Sequence, residues 1–221
     1  GAKVGLITSR GFRDILEIGR QSRKSLYGVK LLPETPAFLA PRSFRREVNE
    51  RVDSSGKVIV PLDENEALNI VDELVDRGIE AIAIVFLFSF LNPKHEDQLE
   101  GLIQKRYPGL AVSISSRVDP AFREYERTVV TTFDAYIKPT VDGYLRRLEE
   151  GLRSSEIQAP LQVMQSRGGL SGSSVATERP VRLFLSGPAA GVVGATNIGA
   201  LEGNEELISI DIGGTTCDLS L

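Results

Sequence analysis

Apolar positions along the chain follow two alternating rhythms, one of period two and one near 3.6. Residues 4–8 form a short apolar run with strand character, and Phe12, Ile15, Leu16 and Gly19 follow at helical spacing. Pro33, Pro36 and Pro41 then hold the backbone extended, since proline cannot donate an N–H to a helix. Two strands over residues 43–52 and 57–62 are joined by the polar turn Asp53-Ser54-Ser55-Gly56, a hairpin signal. Asp63 caps the next helix, with Glu66 placed as in a capping box. Its apolar stripe is Ala67, Ile70, Val71, Leu74 and Val75, and Gly78 ends it. Residues 79–88 are almost continuously apolar, as in a strand covered on both faces.

Asn92-Pro93 caps a helix whose inner face is Leu99, Leu102, Ile103 and Tyr107, before Leu110, Val112 and Ile114 alternate as a strand. Strand, helix, strand in this order predicts a parallel pair with a right-handed crossover. Asp119-Pro120 opens the longest helical pattern, through Phe122, Tyr125, Val129, Phe133 and Ile137. Pro139 should kink or break that helix before Val141, Leu145, Leu148 and Leu152 resume it. Charge pairs at helical spacing, such as Glu124 with Arg127, read as a solvated, ion-paired face. Residues 161–166 form a strand into the turn Arg167-Gly168-Gly169, either ligand-facing or a plain loop. Residues 181–185 read as an apolar strand leading into a helix over 186–203 with Pro188 in its first turn. Gly187, Gly191 and Ala195 recur every fourth residue beside Ala190 and Gly194, a stripe that lets another backbone pack close. A hinge contact between two lobes would need such a stripe.

Composition narrows the function classes. With 221 residues, 41% hydrophobic and 25% charged, the chain has the makeup of a soluble globular protein. A net charge of −4 gives no case for nucleic acid as a partner. No apolar run approaches the ~20 residues of a membrane span, and no signal peptide is read at Gly1-Ala2-Lys3. Cys217 is the only cysteine, which excludes an intrachain disulfide and points to a reducing compartment. It reads as a small buried filler rather than a nucleophile, because no histidine lies near it in sequence. His95 is the only histidine, so zinc-protease chemistry is excluded, and His95 reads as a first-turn residue near the helix cap. Arg10, Arg13, Arg20 and Arg23 make one region basic, either ion-paired with neighbours or touching an anionic ligand. The sole methionine is Met164 and the chain stops inside a strand pattern, so it reads as a piece of a longer protein.

The densest candidate chemistry is the stretch LISIDIGGTTCDLSL over residues 207–221. It predicts a strand, a tight turn at Gly213-Gly214 with φ > 0, and a second strand opening at Thr215. Turn amides and the hydroxyls of Thr215 and Thr216 suit phosphate oxygens. The carboxylates of Asp211 and Asp218 suit Mg²⁺ with its water shell. An ordinary hairpin with solvated aspartates is the alternative.

Small-residue helix, short loop, apolar strand and Gly-Gly-Thr turn in this order resemble the second phosphate loop of the actin, Hsp70 and sugar-kinase superfamily. Seven collinear motifs sharpen the likeness: TSRGFRDILEIGRQ, EVNERVDSSGKVIVPLDE, NPKHE, FREYERTVVTTFDAY, MQSRGG, SGPAAGVVGA and DIGGTTCDLSL. On these motifs the chain resembles the hydantoinase A/5-oxoprolinase family, which includes acetone-carboxylase-type subunits. The resemblance implies an α/β fold with mixed sheets and βαβ units, part of an actin/Hsp70-like (ribonuclease H-like) two-lobe architecture. Residues 1–118 would be the end of the family's N-terminal α/β region, and 119–221 the start of its ATPase domain. ATP would be bound by Gly213, Gly214, Thr215 and Thr216. Asp211 would act as catalytic residue and hold Mg²⁺ or another divalent cation, with Asp218 a second cation ligand. The family's other Asp-x-Gly-Gly-Thr loop has no counterpart in this sequence. The implied activity is ATP-dependent opening of a small cyclic amide by phosphoryl activation of its carbonyl oxygen. Carboxylation of an acetone-type substrate, or a nucleotide-switched binding module, are the other readings. The resemblance further implies a cytoplasmic protein with a hydantoinase B-type partner subunit or a homo-oligomeric assembly.

Overall fold

A computed structural model describes residues 1–21, 27, 35–36, 38–204 and 206–220. Arg23 and Pro33 lie outside the described residues. The chain divides into two compact units, Gly1–Thr140 and Val141–Leu221.

The first unit is built on a four-stranded parallel sheet of order β2-β1-β5-β6. Its strands are Val4–Ser9 (β1), Arg45–Val48 (β2), Ala81–Val85 (β5) and Ala111–Ile114 (β6). Between β1 and β2 lie the one-turn helix Ile15–Ile18 (α1) and a 3₁₀ turn at Arg42–Phe44. Residues 43–52 are therefore not one strand. They split into β2, in the parallel sheet, and Arg51–Val52 (β3), which pairs antiparallel with Val58–Val60 (β4). The predicted turn closes that hairpin, with the Asp53 carboxylate accepting from Ser55 N–H at 2.8 Å and Lys57 N–H at 2.9 Å.

Helix α2 (Glu64–Asp76) is capped as expected, the Asp63 carboxylate accepting from Glu66 N–H at 3.0 Å. The reciprocal half of the box does not form. Glu66 instead accepts from Asn49 N–H at 2.7 Å and from Arg10 at 2.6 Å, tying the helix to the loops after β1 and β2. Ala67, Val71 and Leu74 are buried, and full burial of each larger aliphatic side chain contributes about 1.5–3 kcal/mol. Leu74 lies over Gly5 of β1, where an added Cβ would come within 3.0 Å of its Cδ1.

Every residue of β5 is buried. On one face Ile82 and Ile84 join Ile7, Val112 and Ile114 beneath α2 and helix α3 (Lys94–Arg106). On the other, Ala81, Ala83 and Val85 join Val4, Leu6, Leu16 and Ala135. The predicted parallel pair is present, with β5 and β6 joined through α3. A single turn, Ser115–Val118 (α4), leads to helix α5 (Glu124–Ser154). α5 runs through Pro139 without ending there, although proline supplies no N–H to the helix.

The second unit holds the end of α5, the hairpin Gln162–Met164 (β7) with Leu170–Gly172 (β8), helices Ser173–Glu178 (α6) and Ser186–Leu201 (α7), and the hairpin Ser209–Ile212 (β9) with Cys217–Ser220 (β10). The apolar stretch 181–185 is not a strand: Pro180–Leu183 forms a 3₁₀ turn, after which Phe184 N–H donates to Val181 C=O at 3.2 Å. No helix among the described residues is long and apolar enough to cross a membrane.

Candidate functional site

Strands β9 and β10 pair antiparallel, Asp211 opposite Asp218, Ile212 opposite Cys217 and Ile210 opposite Leu219. Alternation puts Ser209, Asp211, Asp218 and Ser220 on one face, and the hydroxyls of Ser209 and Ser220 touch across it. The connection spans Gly213 to Thr216, so the second strand opens at Cys217 rather than Thr215. Gly213 N–H donates to Thr216 C=O at 2.9 Å and closes the loop. Neither Gly213 nor Gly214 takes the left-handed φ expected of them, because a four-residue loop turns less sharply than a two-residue one. Gly213, Gly214, Thr215 and Thr216 are all exposed, as are Asp211 and Asp218. Cys217 is exposed too, not the buried filler expected, since it lies on the face of the hairpin turned away from the polar residues.

Helix α7 flanks this hairpin, and its small-residue stripe is used there. A Cβ on Gly191 would come within 3.8 Å of Asp211 Oδ2, and one on Gly199 would collide with Leu207. Most of the helix is otherwise exposed, with Gly199 its one buried residue. The groove between them is lined by Val192, Ala195, Thr196, Leu207, Ser209 and Ser220. It opens at the far end of the hairpin from the Gly213–Thr216 loop, so none of the candidate phosphate or cation residues lines it. The turn Arg167-Gly168-Gly169 has both glycines left-handed, at φ 78° and 81°, and Gly168 lies near Val193 of α7.

A second cluster, read in the sequence only as cap and ion pairs, lies at the carboxyl ends of the parallel strands. His95 and Glu50 are 3% and 2% exposed, with His95 Nδ1 2.7 Å from Glu50 Oε2. The other Glu50 oxygen accepts from Ser9 Oγ, which itself accepts from Leu87 N–H at 2.8 Å. Glu96, wholly buried, accepts from Phe86 N–H at 2.9 Å, Ser115 Oγ at 2.6 Å and Ser116 N–H at 2.8 Å. Arg127 donates to Phe86 C=O at 2.7 Å and lies over the Phe90 ring. It is buried rather than solvated, and burial pulls its guanidinium below the usual arginine range against the nearby charges of Glu96, Glu124 and Asp119. The hydrogen bonds of this cluster are made within the protein, so it fixes the loop after β5. Its signal in the sequence is the run NPKHE, where two ionisable residues fall on the inner face of α3.

Arg10, Arg13 and Arg20 pair with Glu66, Asp14 and Glu126, in keeping with the ion-paired reading. Among the described residues no group of three or more His, Cys, Asp or Glu forms a metal cage. Mg²⁺ needs none, since it keeps most of its waters and takes one or two carboxylates. Two carboxylates directly opposed repel one another, and a divalent cation would offset that. Asp211 and Asp218 fit such an ion.

Two family models cover most of the chain: the hydantoinase/oxoprolinase N-terminal region over residues 1–107, and hydantoinase/oxoprolinase over residues 127–221. The chain is similar to an uncharacterized protein of Methanocaldococcus jannaschii, at 39% identity over 99% of this chain and 32% of that protein. It is also similar to the caprolactamase subunit alpha of Pseudomonas jessenii, at 32% identity over 100% of this chain and 32% of that subunit. Among solved structures it matches ATP-dependent caprolactamase from Pseudomonas jessenii with TM-score 0.86 at 32% identity, over 99% of this chain and 32% of that one. It matches nucleotide-free acetone carboxylase with TM-score 0.81 at 28% identity, over 100% of this chain and 32% of that one. The chain thus spans about a third of the length of these two relatives. With both family models and both structures agreeing along its length, the chain belongs to the hydantoinase/oxoprolinase family.

Proposed function

We propose that this chain contributes one phosphate-binding hairpin to an ATP-dependent enzyme that opens a small cyclic amide. The observation that carries the reading is the directly opposed Asp211–Asp218 pair beside an exposed Gly-Gly-Thr-Thr loop. Gly213, Gly214, Thr215 and Thr216 hold ATP phosphates through amides and hydroxyls, and Asp211 with Asp218 holds Mg²⁺ through its water shell. An amide carbon is a poor electrophile. Transfer of the γ-phosphoryl group to the amide oxygen releases ADP and leaves an electrophilic imidate carbon. Water adds to that carbon, the protonated ring nitrogen leaves as the C–N bond breaks, and a second water hydrolyses the resulting acyl phosphate to carboxylate and inorganic phosphate. In this reading residues 119–221 begin the ATPase domain and residues 1–118 close the N-terminal region. The enzyme is cytoplasmic and works with a B-type partner subunit or as a homo-oligomer. The relative named a caprolactamase subunit favours an assembly of subunits.

The test is ADP release by the longer polypeptide, with its partner subunit, across hydantoins, 5-oxoproline and lactams. Turnover that requires one of these amides is expected. Turnover that instead requires bicarbonate and a ketone would replace this reading with the carboxylase, which the likeness to acetone carboxylase supports.

A further inference from the structure

Helix α7 and strand β9 lie alongside each other in opposite directions, because Gly199 meets Leu207 while Gly191 meets Asp211. The helix from Gly191 to Gly199 rises about 12 Å, and the extended chain from Leu207 to Asp211 spans about 13 Å, so the two advance in step. Ala195, midway between the glycines, lines the groove with Ser209, midway between Leu207 and Asp211. The small-residue stripe is thus in register with one face of the strand. Its two ends differ in kind. A Cβ on Gly199 would come within 2.0 Å of Leu207 Cδ1 and 3.0 Å of Asn204 C=O, a contact that packs the helix onto the segment before β9. A Cβ on Gly191 would lie 3.8 Å from Asp211 Oδ2, an ordinary contact distance, and among the described residues it would meet no other group beyond α7 within 4 Å. The stripe therefore ends at a carboxylate rather than at packed side chains.

We propose that Gly191 is a positioning residue for the cation site: its missing side chain leaves the room in which the Asp211 carboxylate, with the water it holds for the ion, lies along α7. Its role rests on the cation role proposed for Asp211. A methyl group at position 191 would only touch the carboxylate. A branched or longer side chain reaches about 1.5 Å further and displaces either the carboxylate or the water on it. Asp218, directly opposite Asp211, is then left to hold the ion alone.

The test sets ion affinity against stability. Mn²⁺ in place of Mg²⁺ is titrated into the longer polypeptide with a non-hydrolysable ATP analogue, and the bound ion is read by electron paramagnetic resonance. Gly191→Val and Gly191→Leu should weaken Mn²⁺ binding by about 10- to 100-fold, the range seen when a group that orients a metal ligand is changed, and Gly191→Ala should weaken it least. Melting temperatures should stay level or rise in all three, since each residue suits a helix interior better than glycine. Gly194→Val makes the same change in the same helix where an added Cβ meets nothing within 4 Å, and it should leave Mn²⁺ binding as it was. Undiminished binding in Gly191→Leu, or an equal loss in Gly194→Val, would overturn the proposal. So would a loss of affinity matched by a lower melting temperature, which would make Gly191 a packing residue only. Asp211→Asn separates the two levels of failure. If it binds Mn²⁺ as the parent does, the cation role of Asp211 falls and the role of Gly191 with it. If it loses the ion while Gly191→Leu keeps it, the role of Gly191 falls alone.

Discussion

Asp211 and Asp218 are directly opposed across the terminal hairpin, on the face that also carries Ser209 and Ser220. Like charges in that relationship repel by up to about 1 kcal/mol, which a bound cation would offset. Asp211→Asn removes the repulsion and keeps the size. The 221-residue chain should therefore melt at the same temperature or slightly higher. ATP turnover by the longer polypeptide should fall by about 100-fold or more, as loss of an electrostatic element does in phosphoryl transfer. Undiminished turnover in the folded variant would remove Asp211 from the site.

The 221-residue chain alone should bind ATP only weakly. Its loop offers a few exposed amides and hydroxyls, each with a net contribution of about 1 kcal/mol in competition with water. Affinity near millimolar, about −4 kcal/mol, is the expected result of calorimetric titration with ATP and Mg²⁺. Micromolar binding at one site per chain would contradict it.

Glu50 accepts from Ser9 Oγ and pairs with His95 Nδ1, so Glu50→Ala leaves both buried partners without it. The loss should be about 1–3 kcal/mol, read as a lower urea midpoint at unchanged slope. An unshifted midpoint would mean that the cluster does not hold the loop after β5.

The Asp72 carboxyl is held below the usual carboxylate range, first by the Tyr107 hydroxyl at 2.7 Å and then by Arg106 at 2.7 Å. A depressed folded value stabilises the fold above about pH 4 and is lost as pH falls through it. Asp72→Asn should lower stability at pH 7 and flatten its decline between roughly pH 5 and 2. Parallel acid titrations of the two proteins, followed by circular dichroism, would expose a missing effect as superimposable curves.

Pro139 lies inside α5, where it cannot bond back to Ala135 C=O. A proline in a helix interior costs roughly 3 kcal/mol, so Pro139→Ala should stabilise the chain by about 1–3 kcal/mol. A variant that melts lower would show that a bend at Pro139 is required by the packing around Ala135.

The sheet of the first unit was legible because its signals are local and repeated. The almost continuously apolar run 79–88 read as a strand buried on both faces, and Ala81–Val85 within it is that strand, while Asp63 with Gly78 bounded its neighbouring helix. Misreadings came where one cue admitted two partners. Glu66 had the spacing of a capping box, yet its carboxylate reaches Asn49 and Arg10, which no local pattern reveals. Residues 43–48 gave a strand pattern, but only the edge of β1 decided that this strand joins the parallel sheet while Arg51 and Val52 turn to a hairpin.

The pairing that sets both carboxylates on one face was decided by the hairpin register, whereas the order Asp211, Gly213, Gly214, Thr215, Thr216, Asp218 stood in the sequence. The apolar stripe of α2 and the family to which the chain belongs were equally readable there. Tertiary structure alone decided the charges that have no local signature. Arg127 had the spacing of a solvated ion pair with Glu124, but α5 packs its guanidinium beneath Phe90 and against Phe86 C=O. His95 reached Glu50 across 45 residues, and Cys217 came to the open face of its hairpin through pairing with Ile212. Periodicity records which face of an element a side chain occupies. What lies against that face is set by segments far away in sequence, and in a folded chain that contact decides whether a charge is solvated or buried.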